Sequence, residues 1–274
     1  MLKIAALYIC TGKYCAFWPG FYASAEKYLL KDCEVHYFVF TDANCIEGEK
    51  LNPRIHRCVQ EAYPWPFATL RRFEIFLTQE ERLKTFDYVF FFNANAQIVS
   101  PITRDMFLPR AEQGEELLFV QHPAFYNLPN YEFTYDRNFH SKAFIPMGFG
   151  KYYVCGGING GKASAFLKMC HVLDRNIRKD QKKNVIALWH DESHINRYIV
   201  THRNFRILDP SFCWPEGWNL PFTCRILIRD KAKYFDVQGL RNGAPETRLS
   251  PFMAGVNKVM KRMAQKVQGV TRKK

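Results

Sequence analysis

Six consecutive residues, Trp189-His-Asp-Glu-Ser-His194, place two carboxylates, two imidazoles, a hydroxyl and an indole in fewer than two helical turns. A carboxylate beside a strand-end pocket can stabilise positive charge on a sugar ring or act as a nucleophile. Asp191 and Glu192 are the candidates for that role. The ordinary alternative is that both are favourable acids in the first turn of a helix, which the apolar residues after them predict.

Other catalytic motifs are missing from the sequence or incomplete. His190 and His194 are four residues apart, so a metal pair on one helical face stays an open alternative. The chain has no Gly-x-Ser-x-Gly motif of a serine hydrolase, no Gly-x-Gly-x-x-Gly dinucleotide fingerprint and no complete phosphate-binding loop motif.

A second polar group, Asn93-Ala94-Asn95, follows a run of large apolar residues at positions 86–92. So short and apolar a run predicts a strand that is covered on both faces. In open α/β sheets, ligands bind just beyond the carboxyl ends of the strands. We therefore expect the two amides where a phosphate or a sugar would bind, with a plain asparagine turn as the alternative.

The elements that would position these groups alternate between strands and helices. Apolar runs predict strands at residues 4–10, 35–40, 55–59, 86–92 and 117–120. Helical periodicity predicts helices at residues 21–30, 67–83 and 163–178, and residues 11–14 form a predicted turn. This order predicts an α/β fold with a doubly wound, nucleotide-binding sheet.

The middle of the chain carries a long aperiodic stretch and a glycine-rich one. Residues 127–150 are rich in Asn, Pro, Gly and aromatic residues without periodicity, and a loop of that length is usually functional. Residues 152–161 contain four glycines, which mark places where another group approaches the backbone closely.

The formal net charge is +13, and basic residues after Ser250 supply about half of it. The remaining charge of roughly +6 suits an anionic substrate such as a nucleotide. The tail, residues 246–274, combines apolar positions at helical spacing with Lys and Arg opposite, which predicts a basic amphipathic helix on an anionic membrane. Gly255 and Gly269 weaken that helix and leave a disordered tail as an equal alternative. Nucleic-acid binding rests on the tail alone, and we expect none.

Nine scattered cysteines without a Cys-x-x-Cys pair favour free thiols in a reducing compartment over a disulfide framework. The start of the chain has no basic segment followed by a cleavage site. We therefore expect a cytoplasmic protein, peripheral on the inner face of the membrane if the tail binds lipid.

Several segments in this order and spacing resemble glycosyltransferase family 6, the family of the blood-group A and B transferases and α1,3-galactosyltransferases. The resemblance extends to about Gly243, and Trp189-His-Asp-Glu-Ser-His194 is its most specific part. The other segments are Tyr37-Phe-Val-Phe-Thr-Asp42, His122-Pro-Ala-Phe-Tyr126, Phe133-Thr-Tyr135, Ile145-Pro146, Tyr152-Tyr153, Gly160-Gly161 and Phe212-Cys-Trp214.

The resemblance implies a single-domain GT-A fold with a Rossmann-like mixed sheet. Residues 1–245 would be catalytic, with a nucleotide-binding half at 1–100 and an acceptor and catalytic half at 101–245. It implies transfer of galactose or N-acetylgalactosamine (GalNAc) from a UDP-sugar, with retention, to the 3-hydroxyl of an acceptor galactose. Glu192 would lie beneath the anomeric carbon as nucleophile or electrostatic stabiliser, and Asp191 would orient the donor sugar.

The same resemblance assigns the binding residues by position. The donor residues would be Ile9, Cys10, Thr11, Tyr14, Arg72, Asn93, Ala94, Asn95, Cys155, Gly156, Gly157 and Lys231. The acceptor residues would be His122, Ala124, Phe125, Thr134, Trp189 and His190.

One departure from the family concerns the metal. Mammalian members have Asp-x-Asp where this chain has Asn93-Ala94-Asn95, and neutral amides do not offset the dehydration of a hard divalent ion. The chain therefore resembles the bacterial, metal-independent members, and no metal cofactor is expected. Protein cations would then meet the diphosphate charge, with Lys231, Lys233 and Arg241 as candidates.

Side-chain volume and the acceptor loop predict the substrates. Gly157 leaves space for an N-acetyl group where Ala would crowd it, which favours UDP-GalNAc over UDP-Gal. The loop His122-Pro-Ala-Phe-Tyr126 is closer to the blood-group enzymes, which favours a fucosylated acceptor, Fucα1,2Gal. The alternatives are a UDP-Gal-using α1,3-galactosyltransferase and a sugar- or nucleotide-binding protein without turnover.

Overall fold

The apolar run that the sequence analysis predicted as a buried strand lies at the centre of a seven-stranded sheet. The structure, a computed structural model, describes residues 1–237 and 239. The strands in that part are β1 (Lys3–Ile9), β2 (Glu34–Thr41), β3 (Ile55–Val59), β4 (Tyr88–Phe92), β5 (Ala96–Ile98), β6 (Leu117–Gln121), β7 (Val154–Lys162), β8 (Phe205–Leu208), β9 (Trp214–Pro215) and β10 (Ile226–Ile228).

Helices cover both faces of this sheet. The α-helices are α1 (Trp18–Tyr28), α2 (Phe67–Leu70), α3 (Arg72–Leu77), α4 (Glu80–Leu83), α5 (Arg104–Phe107), α6 (Ala163–Gln181) and α7 (His190–Thr201). Short 3-10 helices lie at Gly12–Phe17, Ala111–Gln113, Asn130–Glu132, Pro210–Phe212 and Lys231–Lys233.

The large sheet is mixed, in the order β3-β2-β1-β4-β7-β6-β8. Strands β1 to β4 pair in parallel, whereas β7 runs antiparallel to both β4 and β6. The fold is thus α/β with a mixed sheet flanked by helices, as expected, rather than a wholly parallel one. A small second sheet, β5-β10-β9, lies beyond the end of β4.

The alternating side chains of β4 explain its central place. Phe90 and Phe92 point into the core beneath α1, where the rings of Phe92 and Phe21 are 5.6 Å apart. Val89 and Phe91 point into the opposite core beneath α3 and α6. All four side chains are buried, so the strand is covered on both faces as predicted.

The structure departs from the predicted elements in one segment and adds a strand in another. The helix expected at residues 67–83 is three short helices, because Arg71 and Gln79 leave the helical backbone region with ψ of 8° and 16°. The glycine-rich segment, for which no secondary structure was predicted, is strand β7. Its glycines do admit close neighbours, since a Cβ at Gly160 would lie 2.3 Å from the Val89 carbonyl oxygen of β4.

The long loop at residues 127–150 has little regular structure, as predicted, and two buried aspartates hold it. Asp180, near the end of α6, accepts hydrogen bonds from the Ser141 hydroxyl and the Lys142 amide at 2.8 Å each. Asp136, within the loop, accepts from the Leu188 amide at 2.9 Å. The loop is thereby fixed against the segment that leads into α7.

Within residues 1–237 and 239, no helix has the length and apolar character needed to cross a bilayer. All nine cysteines are free thiols, which agrees with the sequence prediction. The predicted tail helix at 246–274, Arg241 and the boundary at residue 245 lie outside the described residues.

Candidate active site

A cleft of about 470 Å³ opens at the carboxyl ends of β1 and β4. It lies where ligands bind in α/β sheets. Seven of the predicted donor residues line it, namely Ile9, Thr11, Tyr14, Arg72, Asn93, Ala94 and Lys231. The other five do not line it: Cys10, Asn95 and Cys155 are buried, and Gly156 and Gly157 lie beside Cys155 in β7.

The inner end of the cleft is closed by an ion pair. Arg72 Nη2 lies 2.7 Å from Asp191 Oδ2, and both side chains are buried. Arg72 Nη1 also donates to the Gly156 carbonyl oxygen at 2.5 Å. Burial raises the pKa of the Asp191 carboxyl, and the positive charge of Arg72 opposes that shift. One guanidinium therefore joins α3, β7 and α7.

Glu192 lies next to this pair and is held by two donors. Its Oε2 accepts from the Gly156 amide at 2.8 Å, and its Oε1 accepts from the Tyr153 hydroxyl at 3.1 Å. Burial raises the pKa of Glu192 to about 7, although both hydrogen bonds favour the ionised form. A carboxylate fixed in this way can stabilise or attack a cationic sugar carbon.

Contacts at the start of α7 turn both acids inward. The Ser193 hydroxyl accepts from the Trp189 amide at 2.9 Å, which orders the first turn of the helix. Asn196 bonds to both the amide and the carbonyl of Val154 at 2.9 Å, which fixes α7 to β7. Both acids do lie in the first turn of α7, as the ordinary alternative has it. Their place in that turn does not explain why Asp191 is buried and Glu192 is bonded to β7.

The predicted acceptor residues surround the other side of Glu192. The half-exposed Trp189 donates its indole N–H to the Thr134 hydroxyl at 3.0 Å. The His122 and Phe125 rings contact the Tyr153 ring, with centroids 5.7 and 4.5 Å away. Burial lowers the pKa of His122 to about 4, so the imidazole is neutral at physiological pH.

Two further predicted acceptor residues have less direct positions. The Ala124 amide donates to His122 Nδ1 at 3.1 Å and so fixes the tautomer that the imidazole adopts. The His190 ring packs edge-on against Trp65, 4.7 Å between centroids, and Trp65 lines the donor cleft. His190 therefore lies on the donor side of Trp189.

The two asparagines at the end of β4 do not converge on one point. The Asn93 side chain faces the cleft, and its backbone N–H donates to the Gly157 carbonyl oxygen at 2.8 Å. Asn95 Nδ2 instead donates to the Arg229 carbonyl oxygen at 2.6 Å. One neutral amide facing the cleft and one turned away do not fit a divalent cation.

No other residues in the described part of the chain suggest a metal site. No group of three or more His, Cys, Asp or Glu side chains that could hold a metal ion occurs there. His194 is buried with its Nε2 3.7 Å from Asp180 Oδ2, and burial lowers its pKa to about 3. The metal-pair interpretation of His190 and His194 therefore has no third ligand in this region.

The candidate cations differ in their surroundings. Lys231 lines the cleft with its Nζ 5.1 Å from the centre of the Tyr14 ring. Lys233 is turned away to the surface, where its Nζ lies 2.6 Å from Glu216 Oε1. Of the two candidates within the described residues, Lys231 is thus the one that lines the cleft, and Lys13 lines the cleft as well.

Sequence analysis missed two parts of the site. Residues 60–65 form one wall of the cleft, and their only signal was the run Tyr63-Pro-Trp-Pro66. Tyr153 belongs to one of the segments that resemble the family, but it was assigned no role, although its hydroxyl contacts Glu192. A tyrosine before a glycine-rich strand carries no motif that would have identified it.

Comparisons with known proteins agree with this geometry. Residues 2–242 match the model of Glycosyltransferase family 6. The chain is 33% identical over 233 residues to the O-antigen biosynthesis glycosyltransferase WbnI of Escherichia coli, across 85% of this chain and 96% of that protein. It is 31% identical over 247 residues to the globoside alpha-1,3-N-acetylgalactosaminyltransferase 1 of Gallus gallus, across 84% of this chain and 68% of that protein.

A third relative is the histo-blood group ABO system transferase 1 of Rattus norvegicus, 27% identical over 221 residues, across 75% of this chain and 60% of that protein. The mixed sheet flanked by helices agrees with the GT-A-like fold that was expected. The family match covers nearly the whole chain, and the chain belongs to glycosyltransferase family 6.

Proposed function

We propose that this glycosyltransferase moves GalNAc from UDP-GalNAc, with retention and without a metal ion, to the 3-hydroxyl of galactose in a Fucα1,2Gal acceptor. The observation that carries the proposal is the position of Glu192. Its carboxylate is held by Gly156 and Tyr153 between the cleft that contains Arg72 and the wall that contains Trp189. A donor sugar in the cleft and an acceptor on that wall would meet at this carboxylate.

The choice of GalNAc rests on the space at Gly157. A Cβ at this position would lie 3.4 Å from Asn93 Cβ, in ordinary contact, so an alanine would fit but would fill the space. The glycine leaves that volume for an acetamido group. The chicken relative is also named for GalNAc transfer, which agrees with this donor.

The proposed metal independence rests on charge. The donor diphosphate needs positive charge as it leaves, and Lys231, Lys13 and Arg72 all line the cleft. Fixed cations in a partly desolvated cleft can take up that charge without a bound ion.

The decisive experiment measures UDP release from UDP-GalNAc with 2′-fucosyllactose in excess EDTA. We expect turnover there, little with unfucosylated lactose, and a retained anomeric configuration in the product. Glu192→Gln should bind UDP with unchanged affinity. It should not produce UDP from UDP-GalNAc, because the amide lacks the charge that the reaction needs. UDP release by that variant at the wild-type rate would contradict the catalytic role of Glu192.

Two alternatives are separated by the same assay. Faster turnover with UDP-Gal than with UDP-GalNAc would make the chain an α1,3-galactosyltransferase and would refute the volume argument. UDP binding without release from either donor would favour a non-catalytic nucleotide-sugar or glycan-binding protein. Loss of turnover in EDTA that Mn²⁺ restores would refute the metal-free mechanism.

We also propose that the basic tail binds anionic membrane from the cytoplasmic side, on the strength of its sequence pattern alone. Full-length protein should co-sediment with phosphatidylglycerol vesicles, while a chain ending near Arg248 should not. Equal sedimentation of the two would favour the alternative of a disordered tail with no lipid contact.

A further inference from the structure

Three hydrogen bonds connect the acceptor wall to Glu192 in one line. The Trp189 indole N–H donates to Thr134 Oγ1 at 3.0 Å, Thr134 Oγ1 donates to Tyr153 Oη at 3.3 Å, and Tyr153 Oη donates to Glu192 Oε1 at 3.1 Å. An indole N–H only donates and a carboxylate only accepts. The two ends therefore determine which group is the donor in each of the three hydrogen bonds.

We propose that Tyr153 is a positioning residue that orients the Glu192 carboxylate, favours its ionised form, and couples it to the acceptor wall through Thr134. The inference rests on the proposed catalytic role of Glu192 and adds a residue to which the reaction had given no role. Hydrogen bonds in a chain polarise one another, so a contact at Thr134 or Trp189 changes the strength of the last bond, to Glu192.

Packing fixes the Tyr153 hydroxyl in place. The side chain is buried, and its ring stacks on Tyr135 with centroids 5.3 Å apart and contacts Phe125 and Phe133. Burial raises the pKa of Tyr153 well above its ordinary value, so the phenol keeps its proton through the working pH range. A rigid donor that does not ionise is suited to hold a carboxylate.

The other groups that face Glu192 come from several elements. The Gly156 amide of β7 and the Arg72 guanidinium of α3 favour its ionised form, while the neighbouring Asp191 charge and burial oppose it. The Cys213 thiol also lies close enough to interact electrostatically with it. Among the described residues, two groups donate hydrogen bonds to this carboxylate, the Tyr153 hydroxyl and the Gly156 amide. Removal of the Tyr153 hydroxyl would leave the Gly156 amide.

Tyr135 offers a matched control. Its ring lies in the same cluster, and its hydroxyl donates to the Tyr152 carbonyl oxygen at 2.6 Å instead of to Glu192. Tyr135→Phe and Tyr153→Phe each remove one hydroxyl from the same small core. A difference between them therefore reports the contact with Glu192 and not a general loss of packing.

The test measures the titration of the Glu192 carboxyl directly, by carbon NMR of protein labelled at the glutamate Cδ. The missing signal in Glu192→Gln gives the assignment. We expect Tyr153→Phe to raise the Glu192 pKa by about 0.5–1 unit, the worth of one lost hydrogen bond, and Tyr135→Phe to leave it unchanged. An unchanged pKa in Tyr153→Phe, or an equal shift in both variants, would overturn the proposal.

The same variants are then assayed for UDP release at several pH values. In Tyr153→Phe the acidic limb of the pH profile of kcat should move to higher pH. At pH values below the pKa of Glu192, kcat should be roughly threefold to tenfold lower than in the wild type, and near pH 9 it should return to the wild-type value. A loss of equal size at every pH would show a purely structural role and refute the inference. If wild-type protein releases no UDP, the proposed function fails, while the NMR titration still decides the role of Tyr153.

A second variant covers the case in which Tyr153→Phe does not fold. Thr134→Val removes the hydroxyl that donates to Tyr153, whereas Thr134→Ser retains it. Thr134→Val should raise the Glu192 pKa, but by less than Tyr153→Phe does. Thr134→Ser should leave the Glu192 pKa unchanged. Equal titration of the two variants would contradict the coupling.

Discussion

The guanidinium of Arg72 and the carboxylate of Asp191 form a buried ion pair, with 2.7 Å between Nη2 and Oδ2, at the meeting point of α3, β7 and α7. The same guanidinium donates to the Gly156 carbonyl oxygen of β7, whose amide N–H holds Glu192. The pair therefore lies between the donor cleft and the proposed catalytic carboxylate, and its loss should affect both stability and activity.

Arg72→Met should destabilise the protein by about 3–5 kcal/mol, because it leaves the Asp191 charge buried and unpaired. The neighbouring Arg71 provides the control, since it pairs with Glu74 at the surface. Arg71→Met should cost about 0–1 kcal/mol. Urea unfolding at pH 7 measures both free energies, and equal losses would show that the buried pair has no special role.

Sequence reasoning located these two residues but not the contact between them. The apolar strand β4 and the cleft at the strand ends follow from periodicity and from the general position of ligands in α/β sheets, whereas the roles of Arg72 and Asp191 came from the family resemblance. The pairing of Arg72 with Asp191 joins residues far apart in the chain. No local pattern predicts such a pair, because it depends on how α3 and α7 pack on β7.

Other differences have the same origin. Glycines are depleted in strands, so local propensity does not identify β7, although the sequence analysis did predict the close approach that β4 and the backbone of Glu116 make to Gly160 and Gly161. Asn95 was predicted at the donor site on its spacing from Asn93. The pairing of β5 with β10 brings the Arg229 carbonyl to it instead, and that contact is also long-range.

Glu192 should make stability depend on pH in an unusual direction. Its pKa is about 7 in the folded protein, above its ordinary value of 4.5. The folded state therefore binds this proton more tightly, and the contribution of Glu192 to stability is present below about pH 4.5 and is lost as the pH rises to about 7.

Glu192→Gln cannot ionise, so it should be more stable than wild type at pH 8 and closely similar to it at pH 4.5. Urea unfolding at the two pH values measures the difference. The rate of transfer should show the opposite trend, rising with pH through about 7 in the wild type, because the reaction needs the ionised carboxylate. A variant that loses the same stability at both pH values would refute the burial effect.

Gly157→Ala should shift donor preference from UDP-GalNAc towards UDP-Gal with little loss of stability. The new methyl group would lie 3.4 Å from Asn93 Cβ, so it fits the fold but takes up the space assigned to the acetamido group. The ratio of kcat/KM for the two donors measures the effect.

Gly156→Ala is the control for the adjacent position. Its methyl group would lie 3.0 Å from Asp191 Oδ2 and 3.2 Å from Glu192 Cβ, so it should slow transfer from both donors alike. A donor ratio that stays constant in Gly157→Ala would refute the volume argument, and a changed ratio in Gly156→Ala alone would move the determinant to that residue.

Lys231→Ala should weaken UDP binding by roughly tenfold to a hundredfold in EDTA, because one charge-assisted contact to a phosphate is worth about 1.5–3 kcal/mol. Lys233→Ala removes the same charge two residues later, where it pairs with Glu216 at the surface. In calorimetric titration, the affinity of Lys233→Ala for UDP should be within about twofold of the wild-type affinity. Equal weakening in both variants would indicate a general effect of net charge and not a contact with the diphosphate.

Asn95→Asp should destabilise the protein without creating a metal requirement. Asn95 is buried, and its side-chain Nδ2 donates to the Arg229 carbonyl oxygen at 2.6 Å, while its backbone carbonyl oxygen accepts from the Arg229 backbone N–H at 2.9 Å. A carboxylate has no proton to donate, so its oxygen would face the carbonyl oxygen and the new charge would be buried. We expect a loss of about 1–3 kcal/mol in urea unfolding.

Asn93→Asp is the matched change on the cleft side of the same turn. Asn93 lines the cleft, so an aspartate there remains partly hydrated, should cost little stability, and should weaken UDP binding by repelling the diphosphate. In both variants Mn²⁺ should not raise activity above its level in EDTA, because Asn95 faces Arg229 and a single carboxylate at the cleft does not form a divalent site. Activation of Asn95→Asp by Mn²⁺ would show that this side chain turns into the cleft and would refute the metal-free assignment of the site.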